Sequence, residues 1–246
     1  MVLFLWLDKN RVFFLFLCQK MRLITYIQTC HQLSRRKFVS LVDQWSISIN
    51  GKKISSYTQE VQSGDKLIIK SSTNEINEII QETQMTPTLI LLNKPIGYVA
   101  SKADPHNKTI YELLPPEYIN YYYIWRLDKD SHWLLLLTND PALVHEYEHP
   151  KFAIEKEYII ELDRPLPPED LKKALQWVHD EGEFLRAIKI TLFKKPYHYS
   201  ITLNEGKKRH IRRMFKVIGY RVLDLKRIRE GKYSLGDIQT GEWRLV

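Results

Sequence analysis

The sequence is short of sulfur and of glycine. Cys18 and Cys30 are its only cysteines in 246 residues. Two are too few for a disulfide framework, and they lack Cys-x-x-Cys spacing, so they read as reduced thiols of a cytoplasmic protein. The eight histidines are scattered, with His31 beside Cys30 but no second pair, and no metal site is expected. No apolar run approaches the ~20 residues of a bilayer-spanning helix. The N-terminal runs Val2 to Leu7 and Val12 to Cys18 are broken by Asp8-Lys9-Asn10-Arg11. A cleaved export signal is not expected either, because Cys18-Gln19-Lys20 offers no small-residue cleavage site. Residues 1–20 are expected to be an upstream extension or disordered, with Met21 as the natural start. A surface-lying membrane anchor is the competing expectation for this stretch.

What is present is a core and an excess of cations. Hydrophobic residues make up 44% of the chain, enough for one sizeable domain plus a small one. The formal charge of +8 calls for an acidic partner, nucleic acid or an anionic membrane. From Met21 onward, Phe38, Leu41, Val42 and Trp45 fall at i, i+3, i+4 and i+7, an amphipathic helix that Ser34 can cap. Arg35, Arg36 and Lys37 then place three cations in its first turn, the unfavourable end of the helix dipole, an arrangement suited to holding phosphate. Ser46-Ile47-Ser48-Ile49 alternates as a strand before a turn at Asn50-Gly51, and a second strand follows near Lys66 to Lys70. This order of elements over residues 21–70 resembles the S4 RNA-binding domain. Residues 71–87 are polar and read as a linker, with Ile76, Ile79 and Ile80 able to form a short helical turn.

The second part of the chain turns on Trp125 to Asp140, WRLDKDSHWLLLLTND. Its apolar run reads as a buried strand, so Asp128 lies at the mouth of a core element, where a carboxylate can be held rigidly. Upstream, Leu89 to Leu92 reads as a strand leading into Asn93-Lys94-Pro95-Ile96-Gly97. Downstream come a short helix over 141–149, a strand over 155–162 containing Glu-Lys-Glu-Tyr, and a helix over 166–178. Between Lys207 and Lys232 eleven Lys or Arg face only Asp224 and Glu230, the main electrostatic footprint. Ile211, Met214, Phe215 and Ile218 give this segment one clean helical face, ended by Gly219, and leave Arg209, Arg212, Arg213 and Lys216 for the others.

Arg-Leu-Asp with its leucine run, Asn-Lys-Pro-x-Gly, Lys-x-Tyr, and Glu-Gly-Lys-x-Arg-x-Ile-Arg-Arg-Met-Phe followed by Leu-Lys-Arg together resemble the RsuA-type ribosomal RNA pseudouridine synthases. The resemblance implies an α+β fold: a small S4 domain over 21–70, a linker over 71–87, and a catalytic domain over 88–246 on a mixed, mostly antiparallel sheet. It implies an isomerase that breaks a uridine's glycosidic bond and rejoins the base through carbon 5. No redox step or external group is involved, so no cofactor is expected. Asp128 would be the catalytic carboxylate, as nucleophile or as base. Arg212 would pair with it, and Tyr158 would stack on the uracil. Arg126 would fill the stack vacated by a flipped uridine, and Leu225 would wall the pocket. Lys94 and Arg209, with Arg35, Arg36 and Lys37, would bind RNA. The implied partner is ribosomal RNA, a structured stem-loop with a flipped uridine; no metal, no membrane and a monomer are expected. The alternatives are a catalytically impaired RNA-binding or ribosome-assembly protein on the same scaffold, and a membrane-surface protein anchored by residues 1–20.

Two departures stand beside Asp128: Trp125 and Trp133 occupy positions where the resembling family has glycine, and Trp45 and Trp177 do the same elsewhere. With only nine glycines in the chain, four such exchanges look systematic. They suggest a gene from a lineage that reads UGA as glycine, translated here with UGA as tryptophan. His210 replaces a family Gln in the closing motif.

Overall fold

Leu134 to Leu137 are apolar on both faces of a strand, so the strand His132–Thr138 needs cover on both sides and becomes the middle of a sheet. The computed structural model describes residues 20–31, 33–71, 75–81, 87–194 and 196–246, plus the backbone pairing of Leu7–Asp8 with Arg11–Val12. The expectation for residues 1–20 lies almost wholly outside the described residues. The chain divides into two units, Met1–Thr86 and Pro87–Val246.

In the first unit the helices Leu23–His31 and Arg35–Asp43 pack through Leu23, Ile27, Phe38 and Leu41 onto strands contributing Ile47, Leu67 and Ile69. Ser34 caps the second helix, its Oγ accepting from the Lys37 N–H at 3.2 Å, and Arg35, Arg36 and Lys37 are exposed in its first turn. Trp45 is not part of the apolar face. The helix ends at Asp43, and Trp45 lies beyond the cap with its side chain 54% exposed. The stretch read as a linker also differs: Glu75–Ile79 is a strand, not a helical turn, pairing antiparallel with Lys66–Lys70. Its alternation of half-buried Ile76 with exposed neighbours suits an edge strand, and Ile80 then closes the core.

The second unit is an α+β fold on a nine-stranded sheet. Its main path runs Lys189–Leu192, His198–Leu203, Lys156–Leu162, Val222–Glu230, His132–Thr138, Leu89–Lys94 and Trp243–Leu245. All pairings are antiparallel except one: His132 and Trp133 run parallel to Lys226 and Arg227. Along the central strand Leu135 and Leu137 enter the larger core with Ile90, Leu92, Ile160 and Phe215, while Leu134 and Leu136 enter a smaller one with Leu89, Leu91 and Tyr147. Asp140 caps the helix Pro141–Glu148, its carboxylate accepting from the Ala142 N–H at 2.8 Å. The helix expected over 166–178 spans Pro168–Leu175, and Val178 begins a hairpin with Glu183–Leu185. The helix His210–Val217 buries Ile211, Met214 and Phe215 as its spacing predicts. Among the described residues no helix is long and apolar enough to cross a membrane.

Because Leu135 is fully buried at the centre of this sheet, Leu135→Ala is expected to cost about 2–5 kcal/mol. Urea unfolding should show a lower midpoint at an unchanged slope. A midpoint equal to the parent's would contradict the placement of this strand.

Candidate active site

Residues 125–131 form the loop of a hairpin between Tyr122–Ile124 and His132–Thr138, which pair Tyr122 with Thr138 and Ile124 with Leu136. Within the loop Arg126 is exposed, Leu127 is buried and Asp128 is half-buried. Two cations clamp it from neighbouring strands. The Lys94 ammonium donates to the carbonyl oxygens of Asp128 at 3.1 Å, Ser131 at 2.7 Å and Pro95 at 3.1 Å. Arg227 donates through Nη1 to Trp125 O and through Nε to Leu134 O, each at 2.9 Å. Burial pushes Lys94 down to about 8, against the pull of Asp128 and Asp130. Lys94 was expected to line an RNA groove, and the structure corrects this. It ends an entirely buried strand, its head is spent on three carbonyls, and it positions the Asp128 loop from beneath.

The Asp128 carboxylate is lightly held. Its nearest cation is Arg209, with Nη1 3.8 Å from Oδ2. The expected pair between Arg212 and Asp128 is not formed. Arg212 donates to the carbonyls of Val222 and Asp130, each at 2.8 Å, and its Nε lies 3.2 Å from Asp130 Oδ2. Arg209 completes a bidentate grip on the same Asp130 carboxylate, at 3.2 and 3.0 Å. Asp130 thus takes the cation that Asp128 was expected to hold, and Arg209 with it, because it is the more exposed of the two and meets the N-terminus of helix His210–Val217. Burial raises the Asp130 carboxyl, but the two arginines outweigh it and leave the group below its ordinary range.

A cavity of about 180 Å³ opens beside Asp128. Of the expected residues Arg126, Asp128, Tyr158, Arg209 and Leu225 line it, whereas Lys94 and Arg212 do not. Arg35, Arg36 and Lys37 belong to the first unit. Tyr158 is 9% exposed; burial pushes its phenol up, and the Arg227 guanidinium opposes the shift. Of the two tryptophans flanking Asp128 only Trp125 reaches the cavity. Its indole lies on Gly206 with no room for a Cβ there, and its Nε1 donates to Tyr147 O at 2.6 Å.

At the inner wall and behind it are charges that the sequence reading missed. Lys156, Arg227 and Glu230 are at most 1% exposed, and Arg227 Nη2 stands 3.1 Å from Glu230 Oε2. That contact lacks hydrogen-bond geometry, so neither oxygen of Glu230 is hydrogen-bonded among the described residues, and neither is Lys156 Nζ. The Lys156 ammonium instead lies 3.8 Å from the centre of the Trp125 ring. Burial pushes Glu230 up to about 7 and Lys156 down to about 8. The signal was available for Lys156: strand alternation puts it on the face of Tyr158, Ile160 and Leu162, where a lysine has no bland role.

Residues 88–216 match the sequence family described as RNA pseudouridylate synthase. The chain is 33% identical over 227 residues to the dual-specificity RNA pseudouridine synthase RluF of Salmonella typhi, covering 91% of this chain and 74% of that protein. It is 32% identical over 217 residues to the ribosomal large subunit pseudouridine synthase B of Bacillus subtilis, covering 86% of each. A crystal structure of a pseudouridylate synthase superimposes with a TM-score of 0.64 at 26% identity, over 92% of this chain and 96% of that one.

The buried carboxyl gives a signed pH dependence. The pKa of Glu230 is raised in the fold, so its favourable contribution is complete below its ordinary value of 4.5 and lost as pH rises through about 7. The melting temperature of the parent relative to Glu230→Gln should therefore fall from pH 5 to pH 8. A difference that stays flat across that range would mean that Glu230 ionises as it does in water.

Proposed function

The chain belongs to the RNA pseudouridylate synthase family, in its RsuA-type branch, and from that premise we propose that it isomerises specific uridines of ribosomal RNA through the carboxylate of Asp128. As a member it is an isomerase that acts on RNA. The carrying observation is the position of Asp128 on a loop clamped by Lys94 and Arg227, at the wall of a cavity that also holds Tyr158 and Leu225. A reaction that breaks the bond between carbon 1′ and nitrogen 1 and forms one to carbon 5 needs a fixed group at the sugar and a surface for the freed base. Preorganisation of this kind is worth most when the group itself is not tied up. The Asp128 side chain meets that condition, with Arg209 near but not hydrogen-bonded to it.

The atoms balance without a co-reactant. The sugar loses nitrogen 1 and gains carbon 5, the proton leaves carbon 5, and nitrogen 1 takes one up. Asp128 can serve this as a nucleophile at carbon 1′ or as a base at carbon 2′. Tyr158 supplies an aromatic face, and Leu225 an apolar wall that keeps water from the intermediate. Arg126, exposed at the cavity mouth, is the side chain suited to enter the stack left by an extruded uridine. In the first unit, which we read as an S4 RNA-binding domain, Arg35, Arg36 and Lys37 present three exposed cations to phosphate. Residues 87–246 would then be the catalytic domain.

One observation favours a second reading, an RNA-binding or ribosome-assembly protein without turnover: the indole of Trp125 fills part of the cavity. Tritium release from ribosomal RNA labelled at carbon 5 of uridine separates the two, using unmodified transcripts of both subunits. Asp128→Asn should lower release by at least about 10²-fold while salt-dependent RNA binding persists. Release unaffected by that substitution would remove Asp128 from the reaction.

A further inference from the structure

We infer that positions 45, 125 and 133 are glycine sites, that the active protein carries glycine at all three, and that the space filled by the Trp125 indole belongs to the substrate pocket, where Lys156 then faces the bound nucleotide. The last part rests on the uridine reading above; the first stands on backbone geometry alone. Only a few per cent of non-glycine residues adopt positive φ, and a bulky side chain there is an outlier. Three of the five described tryptophans do so: Trp45 at φ 53°, Trp125 at 45° and Trp133 at 85°. Eight of the nine glycines share that half of the map. Six other described non-glycine residues also have positive φ, Tyr197 and Arg209 among them, so what marks these three sites is the concentration of positive φ in one residue type; Trp177 is not part of it.

Trp45 can be compared with a glycine of the same chain. After the helix Arg35–Asp43 the Trp45 N–H donates to Val42 O and the Ser46 N–H to Leu41 O, both at 2.9 Å. After the helix His210–Val217 the Gly219 N–H donates to Lys216 O at 3.0 Å and the Tyr220 N–H to Phe215 O at 2.8 Å. The two helices close with the same pair of bonds, a motif whose turning residue is ordinarily glycine. One carries glycine there and the other an exposed indole. Trp133 sits inside a strand at the junction where His132 and Trp133 run parallel to Lys226 and Arg227. A single misread codon, glycine in the cell of origin and tryptophan in this sequence, accounts for all three.

At position 125 the exchange reaches the site. A cavity of about 180 Å³ is small beside the ~300–1,000 Å³ of ordinary ligand pockets. The indole takes the room that Gly206 leaves open, and Gly206 is the one glycine whose φ is not positive, so room is what its missing Cβ provides. Behind the indole is the Lys156 ammonium, 1% exposed and without a hydrogen-bond partner among the described residues. With glycine at 125 that donor faces the cavity unobstructed and can reach a uracil carbonyl or the flanking phosphate, acceptors that a flipped uridine brings.

The test compares the full chain as written with the triple variants Trp45→Gly/Trp125→Gly/Trp133→Gly and Trp45→Ala/Trp125→Ala/Trp133→Ala, and with the single substitutions. Alanine removes the bulk but keeps the Cβ that positive φ penalises. Each glycine form should melt above its alanine counterpart by about 2–4 °C per site. Tritium release from the labelled RNA should rise at least tenfold when Trp125 becomes glycine, and Lys156→Met in that background should raise the KM for RNA more than it lowers kcat. Alanine forms as stable as glycine forms would overturn the backbone assignment, and so would a Trp125→Gly form less stable than Trp125→Ala. Measurable release that is equal in the Trp125 and glycine forms would overturn the pocket assignment. Glycine-specific stabilisation with no release from any form would keep the glycine sites and reject the uridine reading instead.

Discussion

Two buried cations fix the geometry on which the rest of the site depends. Lys94 holds Asp128 and Ser131 by their carbonyls from one neighbouring strand, and Arg227 holds Trp125 and Leu134 by theirs from the other. A hairpin loop of this length would otherwise be among the softer parts of the unit, since its backbone groups have few ladder partners. Charged donors on three of its carbonyls, and on one of the strand that follows, make it part of the sheet. The cations act on backbone oxygens, so the Asp128 carboxylate is positioned without being neutralised. That separation between what holds the loop and what the loop presents is the condition for a reactive side chain on a rigid support.

The cost of this design appears one strand away. Lys156, Arg227 and Glu230 bring two positive groups and one negative group into a region with almost no water contact. A buried ion pair returns little net stability, because desolvation consumes most of the attraction. Glu230 is pushed up to about 7 and Lys156 down to about 8, so both stand near their titration points at neutral pH. A merely structural core would have used leucine at these positions. Two of the three, Lys156 and Arg227, line the cavity that also carries Tyr158, where charge in a dry setting has its largest effect on a reacting molecule.

Much of this was legible in the chain. The leucine run fixed the central strand, Ser34 and Asp140 marked helix starts, and the spacing of Ile211, Met214 and Phe215 gave the closing helix its buried face. Of the motif residues, Asp128, Tyr158, Arg126, Arg209 and Leu225 line one cavity. The failures share a cause: a motif names a residue but not the direction of its side chain. Lys94 and Arg212 were assigned by position, yet each is consumed by carbonyls that only the fold brings near. Asp130 was passed over because nothing local distinguishes it from Asp128 two residues earlier. The strand Glu75–Ile79 was hidden by polar composition, since an edge strand needs only one weakly apolar face.

The charge of the C-terminal segment also changes meaning in three dimensions. Of the eleven cations between Lys207 and Lys232, seven form ion pairs: Lys207, Arg209, Arg212, Arg213, Lys226, Arg227 and Arg229. Arg213 is held by Asp180 and Glu183, and Arg229 by Glu155 and Glu157, acids that lie outside the segment and were not counted against it. A cation already paired neutralises less of an approaching phosphate, because its partner must be screened or displaced first. Much of the segment's charge is therefore architecture: it ties the closing helix to the hairpin Val178–Leu185 and the strand after it to its neighbour Lys156–Leu162. The attraction to RNA falls more heavily on exposed residues such as Lys208, Lys216 and Arg221. Steering by few charges and recognition by a shaped cavity is a division of labour suited to an enzyme that must select one uridine among many identical phosphates.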